Sequence, residues 1–154
     1  MEEKLAEVTG LAQAAQQATQ KVEGLVDDED LVSELQQMRE EAEETERRCT
    51  VLADERDGKK TAILEKAQET KNEASEMMST YLGSDADDLD GFEFLTMAEA
   101  GEVGHWEILG KLNEKAGESE IKELVEWALP IQERHFRDVR HGSLTLAAEE
   151  DPNG

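Results

Sequence analysis

The chain has 154 residues, with 39 Asp and Glu against 16 Lys and Arg, for a formal net charge of −23. No Lys/Arg cluster outweighs the surrounding acid, which excludes recognition of nucleic-acid phosphates and docking on anionic membranes. Apolar residues make up 37% and aromatics only 4%, and period-two runs of β-branched residues are absent. Amphipathic helices are the structure this composition suits, in one domain large enough for a core.

The acidity accommodates three readings: a solvated, self-repelling surface, adaptation to a salty cytoplasm, or attraction of cations. Cys49 is the only cysteine, so no internal disulfide is expected and a reducing compartment fits. The start, MEEKLAEV, has neither a basic n-region nor an apolar h-region, and no apolar run approaches the roughly 20 residues that span a bilayer. The expected location is the cytoplasm.

A first helix is predicted over residues 2–25, with Leu5, Val8, Leu11, Ala12, Ala15, Ala18 and Val22 on one stripe. The centre of that stripe is small and holds no carboxylate. Asp27 to Asp30 suits the N-terminus of a second helix over 29–56, where acid meets the helix dipole. Leu31, Leu35, Met38, Ala42, Thr45, Cys49 and Ala53 line its inner face, Glu46 borders it, and Glu40, Glu41, Glu43 and Glu44 mostly point outward. Asp57-Gly58 breaks the chain before a third helix over 60–82. There Ile63, Leu64, Ala67, Ala74, Met77, Met78 and Tyr81 are spaced for one buried face. Asp85 to Asp90 is an acidic loop that lacks the central Gly of a calcium loop.

A fourth helix is predicted over 89–114, closed near Gly117, and the chain is organised around it. Wound at about 100° per residue, Phe92, Leu95, Val103, Trp106 and Leu109 share one face. Glu99 and Glu102 fall in the middle of that face, with His105 on its flank. Two buried carboxylates demand a metal, a partner or a proton. Glu102-x-x-His105 has the i, i+3 spacing that lets both side chains reach one ion. A fifth helix starts near Ser119 and carries Ile121, Leu124, Ala128, Val139 and Leu146, with Gln132 and His135 mid-face. Pro130 is expected to bend or loosen it. Residues 1–147 are thus read as a single helical domain, and 148–154 as a disordered acidic tail.

Two antiparallel helix pairs joined by a long helical crossover is the connectivity of a ferritin-like four-helix bundle with an additional crossover helix, an all-α fold. Short motifs agree. Val103-Gly104-His105-Trp106-Glu107-Ile108 resembles the "VEHYEI" signature of the YciF-type ferritin-like proteins, a stress-associated bacterial family. Ala42-Glu43-Glu44-Thr45-Glu46 resembles their second-helix "LEETE". The similarity in helix order covers residues 4–140. The resemblance implies a bundle that often forms a homodimer and has a di-metal centre in its core.

The departures concern the ligands. A di-iron bundle takes one Glu from each of two helices and Glu-x-x-His from each of the other two. This chain offers Glu99, Glu102 and His105 on the fourth helix and Gln132-x-x-His135 on the fifth. The second helix has only Glu46-x-x-Cys49, and the first has no inward carboxylate. Gly104 replaces the Glu of the signature.

Glu99, Glu102, His105, Gln132 and His135 are therefore the candidate metal ligands. Imidazole and carboxylate suit Fe, Mn or Zn, and iron with an open position would give a metal-dependent oxidase or iron-handling protein. The competing reading pairs these groups with one another, leaving an incomplete ligand set and no catalysis. A third reading is a structural module that dimerises or binds a partner helix. Phosphate-binding, nucleophile-elbow and dinucleotide motifs are absent.

Overall fold

A computed structural model describes residues 1–154. The chain is all helical: α1 (Glu2–Glu23), α2 (Glu29–Glu55), α3 (Lys60–Tyr81), α4 (Asp88–Ala116) and α5 (Ser119–Ala147). No helix is long and apolar enough to cross a membrane.

Local chemistry sets the ends. Asp28 caps α2, its carboxylate accepting from the amides of Asp30 and Leu31 at 2.9 and 3.1 Å. Asp87 and Asp90 form a reciprocal capping box at the start of α4, so the acidic loop is a helix start. Gly117 stops α4 in the left-handed conformation, at φ 70°, where glycine carries no steric penalty. Buried Asn113 then staples the turn into α5, donating to the Glu118 carbonyl at 2.8 Å and accepting from the Glu118 amide at 3.1 Å. Helix α5 runs unbroken through Pro130. Pro130 and Glu126 lie outside the buried core, so the carbonyl that loses its amide partner faces water.

Pairings fix the directions. Glu2 meets Arg56 while Glu23 meets Arg39, so α1 and α2 are antiparallel. Glu102–Gln132 and Thr96–Ser143 make α4 and α5 antiparallel. Glu7–His105 together with Val22–Gly91 sets α4 antiparallel to α1, and α5, which meets α2 at Glu41–His135, is then antiparallel to α2. The four helices enclose the core, and α3 lies along the outer side of α1, with Ser75 bonded to Gln17 at 2.8 Å and Gly10 against Ala67, so the two run parallel. Helix α3 carries the chain back along the bundle, which is why α2 and α4 run the same way. Gly10 admits the close approach: a Cβ there would overlap the Ala67 carbonyl and sit 2.7 Å from Thr70 Cβ.

Helix α3 departs from expectation in one respect. Ile63 and Ala67 are buried, but Met77 and Tyr81 are 49% and 59% exposed. Its first half packs; its second half stands away from α4, with which it makes little contact. Periodicity identified an apolar face; in its C-terminal part Met78 packs on the core, while Met77 and Tyr81 stay exposed.

The core divides along its length. One apolar cluster gathers Leu5, Val8, Cys49, Trp106, Leu109 and Ile121. The other gathers Val22, Leu35, Met38, Phe92, Leu95 and Val139. Every bundle helix passes from one cluster to the other through a short buried stretch that belongs to neither. These stretches are Ala12 and Ala15 on α1, Ala42 and Thr45 on α2, Glu99 and Glu102 on α4, and Gln132 and His135 on α5.

Candidate functional site: a polar layer in the bundle core

The middle layer is where the chain departs from a plain apolar core. Glu99, Glu102, Gln132 and His135 are between 1% and 5% exposed. They sit there because the apolar phase of α4 and α5 leaves no other place for them: their neighbours one turn away, Leu95, Trp106, Ala128 and Val139, are buried on the same faces. Thr45 turns its hydroxyl back on its own helix, donating to the Glu41 carbonyl at 2.8 Å.

Glu102 accepts a hydrogen bond from the Gln132 amide. Burial pushes its carboxyl up to about 8, and the Gln132 bond opposes that shift. Glu99 is pushed well above the carboxylate range, first by burial and then by the charge of Glu102. His135 lies across from it on α5. Its Nε2 is 3.2 Å from the Glu41 carboxylate, which also pairs with Arg134. Burial holds the His135 imidazole below its ordinary range, and Glu41 partly counters this. At neutral pH the layer is therefore an uncharged set: two carboxylic acids, an amide and a neutral imidazole.

One oxygen in the layer lacks a hydrogen-bond partner. A neutral His135 that donates from Nε2 to Glu41 turns the Nδ1 lone pair toward Glu99, but Nδ1 and Glu99 Oε2 are 3.9 Å apart. That exceeds a hydrogen bond, and Glu99 Oε2 is buried without a partner.

A cleft lies beside the layer. It sits between α1, α3 and α4, where α3 stands away, and has a volume of about 250 Å³. Ala14, Ala15 and Ala18 line it from α1, Met77 and Met78 from α3, and Met97, Glu99 and Glu102 from α4. His105 lies along the same cleft but apart from the layer. Its side chain is 37% exposed, with Nδ1 3.2 Å from the Glu7 carboxylate at an angle that makes no hydrogen bond.

The structure thus brings together four of the five residues singled out from sequence, Glu99, Glu102, Gln132 and His135, and separates His105 from them. Glu102 turns toward α5 and His105 toward Glu7 of α1. No three carboxylate, imidazole or thiol groups gather at the spacing of a metal centre. The Glu46-x-x-Cys49 echo also divides: Glu46 accepts from Gln16 at 3.0 Å, while Cys49 lies in the first apolar cluster with its thiol pushed up to about 12 by burial. Comparison of the chain with family models, with curated proteins and with solved structures gives no match.

Sequence reasoning missed Glu41, which it placed among the outward acids. Glu41 sits beside Ala42 on the border of the α2 stripe, and its border position was the available signal. Its Arg134 contact was not visible in the helical pattern, because the two are 93 residues apart in sequence.

Proposed function

We propose that this chain is a cytoplasmic ferritin-like protein of the stress-associated type with an incomplete di-metal ligand set and no catalysis of its own. The helix order and the resemblance in α2 and α4 support the ferritin-like part. The observation that carries the functional part is the composition of the middle layer. A di-metal centre needs carboxylates from all four helices. Here α1 contributes Ala12 and Ala15, and α2 contributes Ala42 and Thr45. The di-metal centre does not fit these residues, and no oxidase chemistry is routed through them. The acids that remain are held as neutral groups by burial, one paired to Gln132 and one free.

A second reading, a single-ion site, has one observation in its favour: Glu99 Oε2 and His135 Nδ1 face each other across 3.9 Å. Elemental analysis separates the two. Protein incubated in turn with Fe(II), Mn(II) and Zn(II), then desalted, is expected to keep far less than one ion per chain. Retention of one ion or more, abolished by Glu99→Gln, would overturn the metal-free reading and establish the single-ion site. The homodimer implied by the resemblance would use the exposed apolar side chains Ile108 and Leu112 of α4. Its check is the solution mass by light scattering.

A further inference from the structure

We infer that the outer face of α4 is the docking surface for the same face of a second copy of this chain, with the two helices antiparallel and closest at Gly101 and Gly104. The inference rests on the homodimer reading above and gives that dimer its interface, direction and register.

Phase defines the face. Wound at about 100° per residue, Met97, Gly101, Gly104 and Ile108 fall on one stripe of α4, opposite Leu95, Glu99 and Trp106, which are buried in the core. Met97 and Ile108 are 40% and 45% exposed, and Leu112 on the edge of the stripe is 43% exposed. The chain leaves seven large apolar side chains exposed. Three lie on this stripe and two more, Met77 and Tyr81 of α3, flank it, Met77 across the cleft from Met97 and Tyr81 against Phe94. Apolar surface gathered in this way marks a contact site.

The glycines are the second observation. Helix α4 contains four. Gly91 and Gly110 leave room for Val22 and Val125 of neighbouring helices, but a Cβ at Gly101 or Gly104 would meet nothing within 4 Å. An interior glycine weakens a helix relative to alanine, and nothing within the chain uses the space these two leave. A second backbone does, because glycine at a crossing lets two helices approach more closely than side chains otherwise allow.

Charge selects the occupant and its direction. Apart from His105, the basic residues of α4 are Lys111 and Lys115, both exposed on this face at its C-terminal end, while exposed Asp90 and Glu93 hold its N-terminal end. A parallel copy would set lysine on lysine and acid on acid. An antiparallel copy, turned about a two-fold axis level with the midpoint of Glu102 and Val103, sets Lys115 beside the partner's Asp90 and Lys111 beside the partner's Glu93. The same rotation sets Met97 on the partner's Ile108, Gly101 on the partner's Gly104, and Leu112 beside the partner's Phe94. One register therefore matches the apolar, small and charged positions together, as a self-complementary two-fold contact requires. Each chain carries a net charge of −23, so copies that met without opposite charges aligned would repel.

The test combines the mass of the full chain over a concentration series with cysteine cross-linking. Dimerisation is expected with a Kd in the micromolar range, as suits a small contact made mainly by one helix pair. An equal mixture of Met97→Cys and Ile108→Cys chains is expected to form a disulfide-linked dimer on mild oxidation. Each variant alone, and the wild type with its buried Cys49, is expected to stay unlinked. Gly104→Leu meets no atom within the chain at its Cβ; it is expected to keep the helix content and to weaken dimerisation at least ten-fold. Lys111→Glu is expected to weaken it at least three-fold, and Lys111→Glu combined with Glu93→Lys to restore it. Cross-linking of Met97→Cys chains to one another, no cross-linking in the mixture, or dimerisation unaffected by Gly104→Leu would overturn the inference and leave the homodimer standing on another face. A chain that stays monomeric at its highest soluble concentration would overturn both.

Discussion

Replacing Glu102 with glutamine should stabilise the protein, and by an amount that depends on pH in a defined way. The substituted amide keeps the shape and can still accept from the Gln132 amide, but it has no proton to lose. In the wild type the Glu102 carboxyl is raised from 4.5 to about 8 by burial. The folded state therefore binds the proton more tightly than the unfolded state. Its contribution is fully present below pH 4.5 and is lost as pH rises toward 8. The loss proceeds at about 1.4 kcal/mol per pH unit. Glu102→Gln is thus expected to match the wild type near pH 4.5, to exceed it by about 3 kcal/mol at pH 7, and by about 5 kcal/mol at pH 9. With a urea slope of about 2 kcal/mol/M, the pH 7 midpoint moves up by about 1.5 M. The surface acids titrate in both proteins, so the difference isolates the buried layer; because Glu99 is coupled to Glu102, the gain belongs to the pair. A variant that is less stable than the wild type at pH 7, or whose advantage does not grow with pH, would refute the assignment of Glu102 as a buried neutral acid.

Other consequences are simpler to measure. Gly10→Ala should lower stability by about 2 kcal/mol through overpacking, since the new methyl would meet the Ala67 carbonyl and Thr70; an unchanged melting temperature would contradict the tight α1–α3 contact. The His135 imidazole should titrate by NMR below its usual 6.5, because burial outweighs the Glu41 carboxylate, and a midpoint above that value would show that Glu41 wins. Cys49, buried with its thiol at about 12, should resist thiol reagents until the chain unfolds; labelling at the rate of a free thiol would place it elsewhere. The melting temperature should rise with salt as self-repulsion among the acids is screened, and a flat or falling trend would argue against that surface repulsion.

Helix positions and the polar layer were legible because both follow from phase. Once Leu95, Trp106 and Leu109 of α4 must face inward, Glu99 and Glu102 have to follow, and the same holds for Gln132 and His135 between Ala128 and Val139. Residues on a stripe border were not fixed by phase alone. Glu41 turned inward because Arg134 and His135 of α5 lie opposite it, and His105 turned to Glu7 of α1. The cleft was not legible at all. Ala74, Met77 and Tyr81 carry the period of a buried face, but whether a neighbour covers that face depends on how α3 crosses α1 and leaves α4. That geometry is set by Gly10 at one end and the short connection into α4 at the other.

The arrangement of contacts also orders the folding reaction. The layer's contacts divide into two kinds by distance along the chain. Gln16–Glu46 and Glu102–Gln132 each span 30 residues, within one helical hairpin. Glu41–His135 spans 94 and joins the two hairpins. Loop-closure entropy falls mainly on the long contact, so the hairpins α1–α2 and α4–α5 can form early and their docking comes late. The surfaces that meet in that late step include the middle layer, where His135 must find Glu41 and Glu99 enters the core as an acid. The slow phase of refolding is therefore the one expected to depend on pH, slowing as pH rises above about 4.5, where Glu99 and Glu102 are ionised before they are buried.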